Sequence, residues 1–330
     1  MFHIVVLVIG VVGLALAIHE LGWQGVQDAV VGTGPWFAVI ALLDLASAAC
    51  DAYAIRGFIL PKQPVSYAAV FAAQASGIAV NRLTPGNSLG EPVKVTMLTT
   101  HKVPTNLAVS AVVMFNLVSA YLGIVQLLIG VPVTTLLLDL PHHVVVIVWV
   151  ATGVLVALAV AAGVLVKRGA ARSLVDIVSG MRFVTPERAA RWRSRLADID
   201  TRLRDLGRHP RESGLYRGLA GVVASRLLSW CGTIAVLHAA GIALEPRLVV
   251  ATLSVGMIVS WVSSIVPLGL GIADGANYVM YSLLGASSAA GLAFTMIGRL
   301  RTIALALMGL GVMAIAHSSH RVRLARELAA

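Results

Sequence analysis

The chain has 330 residues, of which 58% are apolar and only 12% charged, with 25 basic side chains against 15 acidic for a net charge of +10. A soluble domain carries about 25% charged residues, so a chain this poor in charge cannot clothe a water-facing surface of its length. An ordinary soluble enzyme, a disordered tail and a secreted disulfide scaffold are excluded, and lipid is the expected solvent.

A helix needs about 20 apolar residues to cross roughly 30 Å of hydrocarbon. Six runs meet or approach that length: 2–18, 35–55, 106–130, 144–166, 218–241 and 289–316. The first ends near Ala15-Leu16-Ala17, which resembles a cleavage site, but no basic segment precedes it and a retained span is expected. The second carries Asp44 and Asp51, seven residues apart and therefore on one helical face. Asp51 lies near the inner end, where Arg56 or the tip of the next element is a partner. An ionisable group inside a span needs a partner or a task, and Asp44, nearer mid-span, is a candidate for proton coupling, with Asp51 beside it. Arg226, in the fifth run, is a plausible partner for either acid.

Two apolar stretches are broken. Residues 66–80 run into Asn81-Arg82-Leu83-Thr84-Pro85-Gly86-Asn87-Ser88-Leu89-Gly90-Glu91-Pro92. Residues 248–266 run into Pro267-Leu268-Gly269-Leu270-Gly271 before resuming over 272–284. Proline and paired glycines interrupt a helix, and broken backbone at membrane depth is tolerated only where protein or a water-filled cavity satisfies it.

Between the fourth and fifth runs, residues 167–217 hold 13 Lys/Arg against 6 Asp/Glu. Within this loop Thr185 and Pro186 open a helix in which Trp192, Leu196, Ile199, Leu203 and Leu206 recur at four, three, four and three. Arg188, Arg191, Arg193, Arg195, Arg202 and Arg204 surround that stripe, as in a basic amphipathic helix lying on anionic lipid. A coiled-coil contact with a partner or a second copy is the alternative. By the positive-inside rule the loop and the tail, with Arg321, Arg323 and Arg326, are cytoplasmic, and the N-terminus lies on the same side.

With these loops inside, each broken stretch must enter and leave on one face of the membrane. Each reads as a re-entrant helical hairpin, although short pairs of full spans satisfy the same parity. The expected fold is all-α: six transmembrane helices and two re-entrant hairpins in two inverted repeats. The first repeat covers 1–131 and the second 142–316, with 167–217 as its cytoplasmic loop and 317–330 as a basic tail. Glu91 to Asn116 and Asp274 to Arg299 are both separations of 25 residues, which supports the repeat. Inverted repeats with interrupted helices are a recurrent transporter plan.

The run Asn81-x-Leu83-x-Pro85-Gly86-x-x-Leu89-Gly90-Glu91-x-x-Lys94 resembles the first signature of the lysylphosphatidylglycerol synthase transmembrane-region family. Pro267-x-Gly269-x-Gly271-x-x-Asp274, followed by Gly285 and Arg299, resembles its second. The resemblance implies a polytopic, flippase-like lipid-handling domain, here expected to stand without the family's soluble aminoacyl-transferase half. Asp274 stands where the family usually has Glu, Lys94 where Arg is common, and Asn116-Leu117-Val118-Ser119 replaces an expected Arg-x-x-Asp.

The leading expectation is therefore translocation of a polar-headgroup lipid, with Asn81, Arg82, Pro85, Gly90, Glu91, Lys94, Pro267, Gly269, Gly271, Asp274 and Arg299 forming the substrate site. Glu91 either contacts the cationic part of a headgroup or caps its helix and pairs with Lys94 or Arg82. Arg299 coordinates phosphate or pairs with Asp274, while Arg301, two residues on, points to another face. A small-solute transporter using the same site is the alternative. A non-transporting subunit that recruits a lipid-modifying enzyme is the third. Expected partners are anionic or zwitterionic phospholipid, a second copy in a homodimer and a separately encoded lipid-synthesising enzyme, with no nucleic acid. No hydrolytic Ser/His/acid arrangement is evident, so neither enzymatic activity nor a cofactor is expected. Cys50 and Cys231 sit in apolar runs, and His142-His143 and His317/His320 lack acidic or thiol companions, so no metal site is expected.

Overall fold

The computed structural model describes residues 31–60, 62–84, 89–138, 141–168, 214–264, 266 and 271–329. The run at 2–18, the expected loop helix with Arg188, Arg191, Trp192 and Arg195, and Pro85, Pro267 and Gly269 of the expected hairpin tips lie outside the described residues. The rest form helices α1 (Trp36–Ile59), α2 (Tyr67–Leu83), α3 (Gly90–Thr100), α4 (Thr105–Leu137) and α5 (His142–Arg168), then α6 (Leu215–Ala239), α7 (Pro246–Ser263), α8 (Ile272–Leu283) and α9 (Ser288–Ala329). No strand occurs among the described residues.

Six described helices are long and apolar enough to cross a membrane: α1, α4, α5, α6, α7 and the Ala289–Ile315 part of α9. The chain is thus a multi-pass helical membrane protein. This set differs from the six predicted runs, because 2–18 lies outside the described residues and α7 joins. Pro246, pre-set for a first helical turn, starts α7 ahead of the apolar run and gives it 18 residues, roughly 27 Å at 1.5 Å per residue. Its expected counterpart α2 has 17 residues, and α3 and α8 have 11 and 12.

Small residues let the helices approach closely, as expected where lipid removes the hydrophobic drive between helices. At the crossing of α1 and α6, a Cβ on Gly221 would stand 2.8 Å from the Ala54 amide nitrogen, and one on Gly57 2.9 Å from that of Gly218. Ser47 and Ser225 hydroxyls meet across the same crossing at 3.0 Å. Gly309 of α9 faces Ala75 and Ala79 of α2. Ile303, Ala306, Leu310 and Met313 of α9 thereby join the principal core formed by α1 to α4. A second core gathers Leu237, Leu248, Ala251, Met280 and Tyr281 from α6, α7 and α8.

The neighbour pattern has an internal correspondence. The helices α1 and α6 pack on each other; α2 packs on α9 as α7 does on α4; α3 lies on α2 and α4 as α8 lies on α7 and α9. Exchanging α1 with α6, α2 with α7, α3 with α8 and α4 with α9 preserves these neighbours. The short helices also end alike. Eleven residues beyond Glu91, Lys102 takes a left-handed φ of 66°, and eleven beyond Asp274, Gly285 takes 79°. In each turn the next amide reaches five residues back, Val103 to the Leu98 carbonyl at 3.3 Å and Ala286 to that of Tyr281 at 2.9 Å. This is the amide pattern that closes a helix on a left-handed residue.

Candidate functional site

The two interrupted stretches build matching carboxylate clusters. Between α2 and α3, the Asn81 Oδ1 accepts the Gly90 N–H at 2.6 Å and its Nδ2 donates to Glu91 Oε1 at 3.1 Å. Lys94, one turn along α3, donates its Nζ to the same oxygen at 3.0 Å. Its ammonium also lies 5.5 Å from the ring centroid of Phe115, within cation–π reach. Lys94 is buried, and Glu91 Oε2 is buried with no hydrogen-bond partner. Glu91 pairs with Lys94, not Arg82, and the Gly90 amide is committed to Asn81.

At the start of α8, Gly271 has φ 77°, a conformation that favours glycine. Its N–H donates to Asp274 Oδ2 at 3.0 Å. Arg299 of α9 donates its Nη2 to the same oxygen. Asp274 Oδ1 and Arg299 Nε are buried without partners. Both acids therefore bind one backbone or amide donor and one cation through a single oxygen, leaving the other oxygen unpaired.

A third pair joins the halves. Arg301 donates its Nε to Asp44 Oδ2 at 2.6 Å and its Nη2 to Asp44 Oδ1, a forked contact. The partner expected for Asp44 or Asp51 was Arg226, but the Arg226 Nη2 donates to the Ser119 carbonyl at 3.0 Å. Asp51 instead accepts the Gln74 Nε2 at 3.0 Å, and Arg56 is turned to the Val65 carbonyl at 3.0 Å. Arg301 is held by α1 and Arg299 by α8, so the two leave α9 on different faces as their spacing predicts.

Both nonetheless border one cavity of about 460 Å³, within the usual range for a small-molecule site. Arg82 enters it from the end of α2, Gln126 from α4, Arg226 and Trp230 from α6, Thr252 and Ser260 from α7, Asn277 from α8, and Thr295 and Thr302 from α9. Four arginines and many hydroxyls face the space, and the described lining holds no carboxylate. Of the predicted residues, Arg82 and Arg299 are brought together here. Asn81, Gly90, Glu91, Lys94, Gly271 and Asp274 do not line it, and Asp274 acts on it only through Arg299.

The polar wall is itself tied together. Trp230 Nε1 donates to Gln126 Oε1 at 3.1 Å, while the Gln126 Nε2 donates to the Leu253 carbonyl. Asn277 Nδ2 donates to Thr295 Oγ1 at 2.9 Å. Sequence reasoning passed over Gln126, Trp230, Asn277 and Thr295. A glutamine inside an apolar span was a visible signal for the first; the others carry none until the helices are assembled. On another side of α8, Gly275, Ala276, Val279, Met280 and Leu283 face an apolar groove of about 360 Å³, completed by Val144, Ile147 and Val148 of α5.

No curated protein and no solved structure matches the chain. A family model does: the model described as the lysylphosphatidylglycerol synthase TM region matches residues 3–309. That match takes in every described helix up to most of α9, both interrupted stretches and the cavity, so the chain belongs to the lysylphosphatidylglycerol synthase transmembrane-region family.

Proposed function

We propose that the protein moves a polar-headgroup lipid between membrane leaflets, carrying the headgroup through the arginine-lined cavity without chemical change. The observation that carries this reading is the placement of an arginine-rich cavity and an apolar groove against different sides of one short helix, α8. A lipid needs both a polar passage for its head and an apolar path for its chains, whereas a small solute needs only the first. Membership of a lipid-related family supports the same reading.

The two halves act as inverted repeats with α2/α3 and α7/α8 as re-entrant hairpins. The exchangeable neighbour pattern and the left-handed turns eleven residues beyond Glu91 and Asp274 support this. The protein sits in the cell membrane with its basic loop and tail in the cytoplasm. Asp44 becomes available for a proton when Arg301 turns from it toward substrate.

The test is reconstitution of the full chain in liposomes carrying fluorescent-headgroup phospholipids, with dithionite bleaching of the outer leaflet. Lipid exchange faster than in empty liposomes is expected. Folded protein that exchanges no phospholipid, yet takes up a soluble solute, would select the solute-transporter reading.

A further inference from the structure

We infer that Asp51 is a proton-binding site linked to the cavity through Arg226, so that a phospholipid and a proton bind together; this rests on the lipid-translocation reading for its ligand, and on the cluster around Asp51 for its proton.

Asp44, Glu91 and Asp274 each meet a cation directly. Asp51, half-buried in α1, meets none within ion-pair distance among the described residues. It accepts the Gln74 Nε2 at 3.0 Å and lies beside the Ser225 hydroxyl, which itself meets that of Ser47. An acid inside a span needs a partner or a task, and proton binding is the task this cluster fits. Gln74 is 2% exposed, and its Oε1 is buried with no partner. A carboxylate takes a hydrogen bond from the amide nitrogen, whereas a protonated acid donates one to the amide oxygen. Half a turn of the Gln74 amide would bring the free Oε1 to a protonated Asp51, so one side chain serves both forms.

The surrounding charges set what the proton changes. Besides Gln74, the neighbours of α1 bring Ser225 and Arg226 from α6, Arg301 from α9, which is forked onto Asp44, and the Ser119 carbonyl from α4, which holds Arg226. Lys94 of α3 acts on Asp51 from beyond ion-pair distance while bonded to Glu91, and the Cys50 thiol is its neighbour along the chain. Of the two cations that Asp51 acts on, Arg226 borders the cavity and Lys94 does not. A phosphate held by Arg226 therefore competes with the Asp51 carboxylate for one positive charge. Phosphate binding favours the neutral acid, and protonation of Asp51 frees Arg226 for the phosphate, a reciprocal coupling. Every phospholipid carries that phosphate, so the linkage holds whatever else the headgroup bears.

The experiment titrates the full chain in detergent calorimetrically with dihexanoyl phosphatidylglycerol and dihexanoyl phosphatidylcholine, in buffers of different ionisation enthalpy and over a range of pH. Both lipids are phosphodiesters that do not titrate near neutral pH, so any proton taken up belongs to the protein. Each should bind with uptake of up to about one proton, and its affinity should fall by up to about tenfold per pH unit as pH rises. Asp51→Asn should abolish the uptake and hold the affinity near its low-pH value at every pH. Arg226→Gln should also abolish uptake although Asp51 is present, and Arg226→Lys, which keeps the charge, should restore it, as no purely structural loss would. Lipid binding without proton uptake, or uptake that survives Asp51→Asn and is lost in Asp44→Asn, overturns the inference and leaves translocation standing. Proton-linked binding by protein that exchanges no phospholipid in liposomes supports the site and overturns the translocation reading.

Discussion

The forked pair between Asp44 and Arg301 ties α1 to α9, and removing either partner should be costly. Asp44 is 5% exposed and the Arg301 side chain 20%, so both charges are largely withdrawn from water. Deleting one member of a buried ion pair costs about 3–5 kcal/mol because the other is left uncompensated. Asp44→Ala leaves a guanidinium that still faces the polar cavity, which places the loss near the lower end, about 3 kcal/mol. Arg301→Gln leaves the more deeply buried partner, a carboxylate, and should cost roughly 4 kcal/mol. The double variant Asp44→Asn/Arg301→Gln removes both charges and keeps two hydrogen-bonding amides. Its loss should fall short of the sum of Asp44→Asn and Arg301→Gln by about 2–3 kcal/mol. Reversible unfolding in mixed micelles, followed by far-ultraviolet circular dichroism, measures all four proteins. Losses that add to within about 0.5 kcal/mol would show no coupling and refute the reasoning.

Arg299→Lys keeps the charge but loses the planar fork, so lipid exchange in the liposome assay should slow about tenfold or more; a wild-type rate would remove Arg299 from the transport path. Lys102→Gly should stabilise the protein by about 1 kcal/mol in a thermal melt, since a side chain at φ 66° is strained. The matching change Gly285→Ala should destabilise it by about 1–2 kcal/mol for the same reason. Gly221→Leu should force α1 from α6 and lower stability by at least roughly 1–3 kcal/mol, and an unchanged melt would mean that the close approach to Ala54 is not needed.

The spans were legible because hydrocarbon imposes one requirement on all of them, a long apolar run. The runs predicted at 35–55, 106–130, 144–166, 218–241 and 289–316 correspond to α1, α4, α5, α6 and α9. What apolarity could not settle was α7: the run 248–266 is long enough to cross, but the Pro/Gly break after it and the loop parity made it read as one arm of a hairpin, not as a span. The pairing of charges was harder. Arg299 with Asp274 and Glu91 with Lys94 follow from local spacing and a shared interruption, so the sequence named them as candidates. Asp44 with Arg301 spans 257 residues and depends on how α9 lies against α1, a relation that no local pattern encodes. Trp230 and Asn277 were hidden for the same reason, each becoming part of a polar wall only when the helices meet, whereas Gln126 was marked as a glutamine inside an apolar span.

The left-handed turns show why a correspondence between two segments can be plain in the backbone and faint in the sequence. Lys102 and Gly285 share a conformation, an offset from the acid that follows each break and an amide bond five residues back, yet one is the residue type a sequence reader would expect there and the other is not. The charges diverge in a more consequential way. In the first half the cation that meets the acid, Lys94, stands on the same short helix as Glu91, so that pair travels as one unit. In the second half the cation comes from the following span, because position 299 is arginine where the first half has Asn116 at the corresponding separation. Any displacement of α8 against α9 stretches the Asp274–Arg299 contact and leaves Glu91–Lys94 intact. Of these two pairs, the one that relative motion of helices can open is also the one whose arginine borders the cavity.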